Sequence, residues 1–202
     1  KGVKMSDLIR NLKNNGFEVV CAANADEALK IAKSLIKSGD KIGLGGSESV
    51  REIGLLDYVV SLKDVNVCNQ YEKGISMDEN VNRRRNGLLA DIYFCSTNAV
   101  TLDGFLVNVD GSGNRVAALN YGPKKVVIII GKNKIVKNLD EAIKRLNEVA
   151  IPKNIERLNK KAESFGKTGK YTTKTIARKY SIIESDADNR ILIILVDENV
   201  GY

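Results

Sequence analysis

The run Val126-Val127-Ile128-Ile129-Ile130-Gly131-Lys132-Asn133-Lys134 decides the fold class. Its first half is an unbroken series of β-branched residues, too short for a core helix and well suited to a strand. Nothing polar alternates with them, so both faces of that strand expect burial, the condition of a parallel sheet covered by helices on its two sides. At Gly131 the chain turns into a loop of lysine and asparagine. Residues 191–196 repeat the apolar run, and residues 17–22, 41–44, 65–68 and 92–95 are shorter versions of it.

Helical patterns lie between these strands. Residues 3–15 place Leu8, Ile9 and Leu12 on one face and stop at Gly16. Asn24 reads as an N-cap with Glu27 as in a capping box, opening a helix through Ala28, Ile31, Ala32, Leu35 and Ile36. Further helices are expected around Val50, Ile53 and Leu56, over 77–89 and 115–120, and over 139–149 and 154–162, the last two separated around Pro152. Residues 97–113 read as a loop region with a hairpin at Phe105-Leu106-Val107-Asn108, and the basic segment 166–180 receives no assignment. The alternation predicts an α/β fold with a mostly parallel open sheet and helices on both faces, formed by residues 1–202 as one domain.

Composition narrows the chemistry. The 202 residues include no histidine, which removes Ser-His-Asp and Cys-His catalysis and leaves acid–base work to Asp, Glu, Lys, Tyr or Cys. Cys21, Cys68 and Cys95 each lie in an apolar stretch without a CxxC pair, so they read as buried, reduced thiols, and neither a metal nor another cofactor is expected. No apolar run approaches a membrane span, and no cleavable signal is visible, which points to a cytoplasmic protein. The net charge is +7, yet the lysines are dispersed and the compact run Arg83-Arg84-Arg85 has no aromatic residues interleaved with it. A nucleic-acid groove needs both, so a small anionic ligand fits the charge better.

Open α/β sheets bind ligands at the carboxyl ends of their strands, which directs attention to the loops after Leu44, Cys95 and Ile130. In the first loop, Gly45 and Gly46 let the backbone approach a ligand closely, Ser47 and Ser49 add hydroxyls, and Glu48 adds a carboxylate. The same residues equally suit a tight turn with a serine cap. The second loop holds Thr97, Asn98, Thr101, Asp103 and Gly104, able to orient a hydroxyl or carbonyl, with Asp103-Gly104 also a hairpin turn. Then come Asn108, Asn114 and Arg115. An arginine at a helix start is unfavourable unless a bound anion or a buried carboxylate accompanies it. After the third strand, Lys134 can reach a phosphate or carboxylate, or face solvent.

The stretch Ala90–Gly104 with Thr97-Asn98-Ala99, then Asn108, Asp110-Gly111, Asn114-Arg115 and 126–136, resembles the lactate-utilisation (LUD) domain family. Gly43-Leu44-Gly45-Gly46-Ser47, Glu52-Ile53-Gly54-Leu55, Ala142, Arg145, Pro152, Asn154 and Arg157 extend the resemblance over nearly the whole chain. It implies a fold related to ribose-5-phosphate isomerases, glucosamine-6-phosphate deaminases and CoA-transferases, in which the first glycine-rich loop meets an anion. It also implies a setting among iron–sulfur proteins that oxidise L-lactate. Two features depart from the family. The stretch Lys167-Thr168-Gly169-Lys170 lacks the cysteines that accompany it in similar proteins, and Asn98 stands where sugar-phosphate isomerases carry an aspartate base. An amide cannot act as that base.

The resulting expectation is a lactate-utilisation-type protein that binds a hydroxy- or oxo-acid, a sugar phosphate or a CoA thioester. Gly45, Gly46, Ser47 and Ser49 would hold the anion, and Thr97, Asn98, Thr101 and Asp103 would orient the rest. Gly104, Asn108 and Lys134 complete the candidate set, and Asn114 and Arg115 would close the site. Whether the chain is an enzyme stays undecided; if so, Asp103 or Glu48 is the acid–base candidate. The alternative is a non-catalytic partner subunit of an iron–sulfur oxidoreductase complex. A homodimer is compatible with either.

Overall fold

The computed structural model describes residues 5–164, 166, 168 and 170–202. In chain order the strands are β1 (Glu18–Ala22), β2 (Lys41–Leu44), β3 (Asn66–Val67), β4 (Ile92–Cys95), β5 (Ala99–Thr101), β6 (Leu106–Asp110), β7 (Lys125–Gly131), β8 (Ile135–Val136), β9 (Lys179–Ile183) and β10 (Ile191–Val196). The helices are α1 (Met5–Asn14), α2 (Ala25–Ser34), α3 (Glu48–Glu52), α4 (Leu55–Ser61), α5 (Met77–Gly87), α6 (Asn114–Asn120), α7 (Leu139–Arg145), α8 (Ile151–Ser164) and α9 (Thr173–Ile176). A six-stranded sheet runs in the order β1-β10-β7-β4-β2-β3 with every neighbouring pair parallel. β7 is central, as its unbroken apolar run predicts.

Alternate residues of these strands face opposite cores. Phe94, Val127, Ile129 and Ile194 pack against Ala28 and Ala32 of α2 and Val50, Leu55 and Val59 of α3 and α4. Tyr93, Cys95, Ile128, Ile130 and Ile193 pack on the other side against Leu8 and Leu12 of α1 and Ala118 and Leu119 of α6. Gly43 cannot be replaced here, because a Cβ would sit 2.3 Å from the Tyr93 ring.

A second sheet, β8-β5-β6-β9, lies beyond this core. The hairpin expected within residues 97–113 forms between β5 and β6, which supply eight of those seventeen residues, and β9 pairs antiparallel with β6. The basic segment had offered no strand signal because β9 is an edge strand, with exposed Tyr180 and Ile182 and only partly buried Ser181 and Ile183. The far face of this sheet buries Ala99, Val107 and Val109 under Ala142, Leu146, Ile151 and Ile176.

Other expectations are corrected. The helix holding Val50 to Leu56 is two helices, because Gly54 takes φ 78° and turns the chain between them. Pro152 does not separate two helices: α7 continues through a π turn, Leu146–Ala150, into α8, where Pro152 is the second residue. A π turn already widens the backbone ladder at the point where the proline ring and its missing N–H would disrupt an α turn. Cys21 is exposed because β1 is an edge strand, whereas Cys68 and Cys95 are buried. Among the described residues, no helix is long and apolar enough to cross a membrane. Residues 1–4, Phe165, Lys167 and Gly169 lie outside the described residues, and with them the start of the expected first helix and part of the Lys167–Lys170 stretch.

Candidate functional site

At the carboxyl ends of β2, β4 and β7 the loops enclose a polar cavity of about 70 Å3. The ladder explains why they meet there. β4 pairs with both β2 and β7 in parallel register, so Gly45, Ser96 and Lys132 leave the sheet at the same edge. The first loop stays pinned to the sheet: the Gly45 N–H donates to the Phe94 carbonyl at 2.9 Å, and the Gly45 carbonyl accepts from the Tyr71 hydroxyl at 2.7 Å. A Cβ on Gly45 would lie 2.8 Å from that of Cys95 and 3.3 Å from the Arg115 side chain, so glycine is required by packing. Ser47 lines the cavity while its hydroxyl accepts from the Val50 N–H at 3.2 Å and caps α3. Glu48 lines it too, 3.4 Å from Arg157 and 3.4 Å from Arg51.

Lys134 forms the floor. Its side chain is buried, and Nζ donates to Ser49 Oγ at 2.9 Å, Ser96 Oγ at 2.9 Å and the Thr97 carbonyl at 3.2 Å. No carboxylate pairs with it among the described residues. Burial, reinforced by the nearby positive charges of Arg145 and Arg115, pulls its pKa down to about 7. Arg145, itself buried with a pKa lowered by burial, donates to the carbonyls of Asn133 and Asn98 and so ties the β7 exit to the hairpin.

Arg115 is the opposite case. Its guanidinium donates to the Ser96 carbonyl at 2.9 Å, the Val109 carbonyl at 2.9 Å, Asn98 Oδ1 at 2.7 Å and Asn108 Oδ1 at 2.5 Å, and pairs with the Asp110 carboxylate at 2.8 Å. The other Asp110 oxygen accepts from the Val116 N–H in the first turn of α6 at 2.8 Å. The largely buried carboxylate is therefore what reconciles an arginine with a helix start. With its donors engaged by protein, Arg115 is a post that holds the walls in place. Asn98 Oδ1 also accepts from the Val109 N–H at 2.9 Å, which leaves the amide N–H group as its remaining donor beside the cavity.

Of the candidate residues, Gly46, Ser47, Thr97, Asn98, Arg115, Lys134 and Glu48 line the cavity. Gly45, Ser49 and Asn108 stand directly behind that wall, through the contacts above. Asn114 lies in an adjoining groove, its Oδ1 accepting from Ser112 Oγ at 2.9 Å. Thr101, Asp103 and Gly104 are not at the cavity. Thr101 Oγ1 accepts from the Phe105 N–H within the hairpin turn at 3.1 Å, Asp103 is exposed, and its carbonyl accepts from Asn15 next to α1 at 2.9 Å. The acid–base expectation for Asp103 is thus corrected, because the hairpin carries it to the far end.

Ser96, Asp110, Asn154, Arg157 and Tyr202 also line the cavity and were absent from the candidate set. Asn154 and Arg157 did carry a signal, the i,i+3 spacing that puts both on one helix face, where Arg157 donates to Asn154 Oδ1 at 2.7 Å. Tyr202 arrives through the tail: the Asn133 amide holds the Val200 N–H and the Gly201 carbonyl, and Arg157 Nε donates to the Tyr202 hydroxyl at 2.8 Å. Among the described residues no group of three or more His, Cys, Asp or Glu side chains is placed to hold a metal ion.

The LUD domain model matches residues 5–196. A comparison with curated proteins finds no match. Among solved structures, the chain is similar to a DUF162 family protein from Deinococcus radiodurans, with a TM-score of 0.52 at 15% identity over 96% of each chain. It also matches ribose 5-phosphate isomerase A from Methanocaldococcus jannaschii, with a TM-score of 0.39 at 18% identity over 79% of this chain and 78% of that one.

Proposed function

The chain belongs to the LUD domain family, and on that footing we propose that it binds a small anionic metabolite, a hydroxy- or oxo-acid, in the cavity beside Lys134. The observation that carries this reading is a buried ammonium group without a carboxylate partner among the described residues. Buried charges are ordinarily paired or neutralised. The ligand's carboxylate supplies the missing countercharge. Lactate and pyruvate, each a carboxylate with an oxygen on the next carbon, suit a cavity of about 70 Å3 and the family's name. The free amide N–H of Asn98 and the Glu48 carboxylate then face the second oxygen, one as donor and the other as acid–base group.

Calorimetric titration with lactate, pyruvate, sugar phosphates and CoA esters tests this. Lys134→Met should weaken binding of the responding acid about tenfold or more, as for a lost buried countercharge. Asp103→Asn should leave it unchanged. Equal affinity in Lys134→Met would remove the lysine from the site. Silence across the panel would favour a partner subunit of an iron–sulfur complex, to be sought by co-purification.

A further inference from the structure

A groove of about 350 Å3 opens off the cavity, sharing with it Gly46, Asp110, Arg115, Asn154, Arg157 and Ile176, so that the two form one continuous recess. Its outer wall adds Arg84 from α5 and Arg178 from the segment before β9. The groove is thus lined by four arginines and a single carboxylate, Asp110, which is already committed to Arg115. The remaining three guanidiniums come from separate elements and have donors to spare. Arg178 has no side-chain hydrogen bond or ion pair among the described residues. Arg84 donates to Ser112 Oγ at 3.0 Å, while its Nε is buried without a partner. Arg157 uses Nε on Tyr202 and, at 3.4 Å, on the Glu48 carboxylate, and Nη2 on Asn154, leaving Nη1 without a partner among the described residues.

Converging like charges repel unless an anion sits among them. Forked, planar donors match the oxygens of a phosphate or carboxylate. A phosphate monoester, with a charge of about −1.5 to −2 near neutral pH and several acceptor oxygens, can engage three forks at once, which a carboxylate cannot.

Resting on the reading of the inner cavity above, we propose that this groove seats a phosphate group, so that the ligand is a small acid or carbonyl compound bearing a phosphate at its far end. The inner end meets Lys134 and the outer end meets Arg84, Arg157 and Arg178. The recess thereby selects phosphorylated acids over bare ones.

The test compares glycerate with 3-phosphoglycerate, and D-ribose with ribose 5-phosphate, by calorimetry on the full chain. The phosphorylated member of at least one pair should bind about tenfold tighter or more. The double variant Arg84→Gln with Arg178→Gln, which leaves the inner cavity untouched, should erase that advantage while the unphosphorylated partner binds as before. Equal binding within both pairs, no binding of either phosphate at millimolar concentration, or an advantage that survives in the double variant would each overturn the proposal. Failure of the inner-cavity reading looks different: glycerate binding would be indifferent to Lys134→Met, whatever the arginine variants do.

Discussion

The β5–β6 hairpin presents the same kinds of residue at both of its ends. At the open end, Ser96, Thr97 and Asn98 border the cavity, braced by Arg115, Arg145 and Lys134. At the closed end, Leu102, Asp103 and Gly104 lie against α1, with Asn11 donating to the Leu102 carbonyl at 2.7 Å and Asn15 to the Asp103 carbonyl at 2.9 Å. Threonine, asparagine, aspartate and glycine serve a recess in one place and a docked turn in the other. What separates them is a short antiparallel ladder, Ala99 with Val107 and Val100 with Leu106. Polar composition alone therefore does not locate a site; the identity of the groups that satisfy those polar atoms does.

The sharpest way to break this contrast is at the open end. Arg115→Ala should destabilise the fold by about 3–5 kcal/mol in urea unfolding, because it leaves the Asp110 carboxylate largely buried and unpaired. A loss below about 1 kcal/mol, the size of an exposed pair, would mean that the guanidinium does not brace the walls. The closed end should respond less and without touching the cavity. Gly104 takes φ 86°, and a Cβ there would lie 3.1 Å from the backbone of Asn11 and Leu12, so Gly104→Ala should cost about 1–3 kcal/mol. Lactate binding measured on the same variant should be unchanged.

The smallest effect is a slope. With a pKa of about 7 in the fold against an ordinary 10.5, Lys134 is protonated in both folded and unfolded chains below about pH 7. Between those values only the unfolded chain holds the proton, so stability rises with pH, by at most about 1.4 kcal/mol per unit. Wild type should therefore gain on Lys134→Met as pH is raised from 7 to 9 in paired melting curves, and parallel curves would place the lysine in water. Binding of an acid should run the other way, weakening as the ammonium loses its proton.

The parallel sheet was legible because β7 and β10 are apolar on both faces, and that pattern has few other solutions. The cavity's location followed from the strand ends. The role of Arg115 was half visible, since an arginine at a helix start demanded a negative partner, but sequence could not choose between a ligand and Asp110. Asn154 and Arg157 were half visible as an i,i+3 pair on one helix face, but their place at the cavity, like that of Tyr202, was hidden because it depends on how α8 and the tail fold back over the sheet, a long-range matter. The hairpin ladder, which removes Asp103 from the cavity, is too short to print an alternation.

The π turn between α7 and α8 has a consequence in terms of phase. An α-helix advances about 100° per residue, so one extra residue absorbed in Leu146–Ala150 rotates everything after it by roughly that angle. Regularising that turn to α geometry, with no residue removed, would conserve every side chain of the protein. It would nonetheless turn Asn154 and Arg157 away from the recess, much as a slipped tooth leaves a gear intact and mistimed.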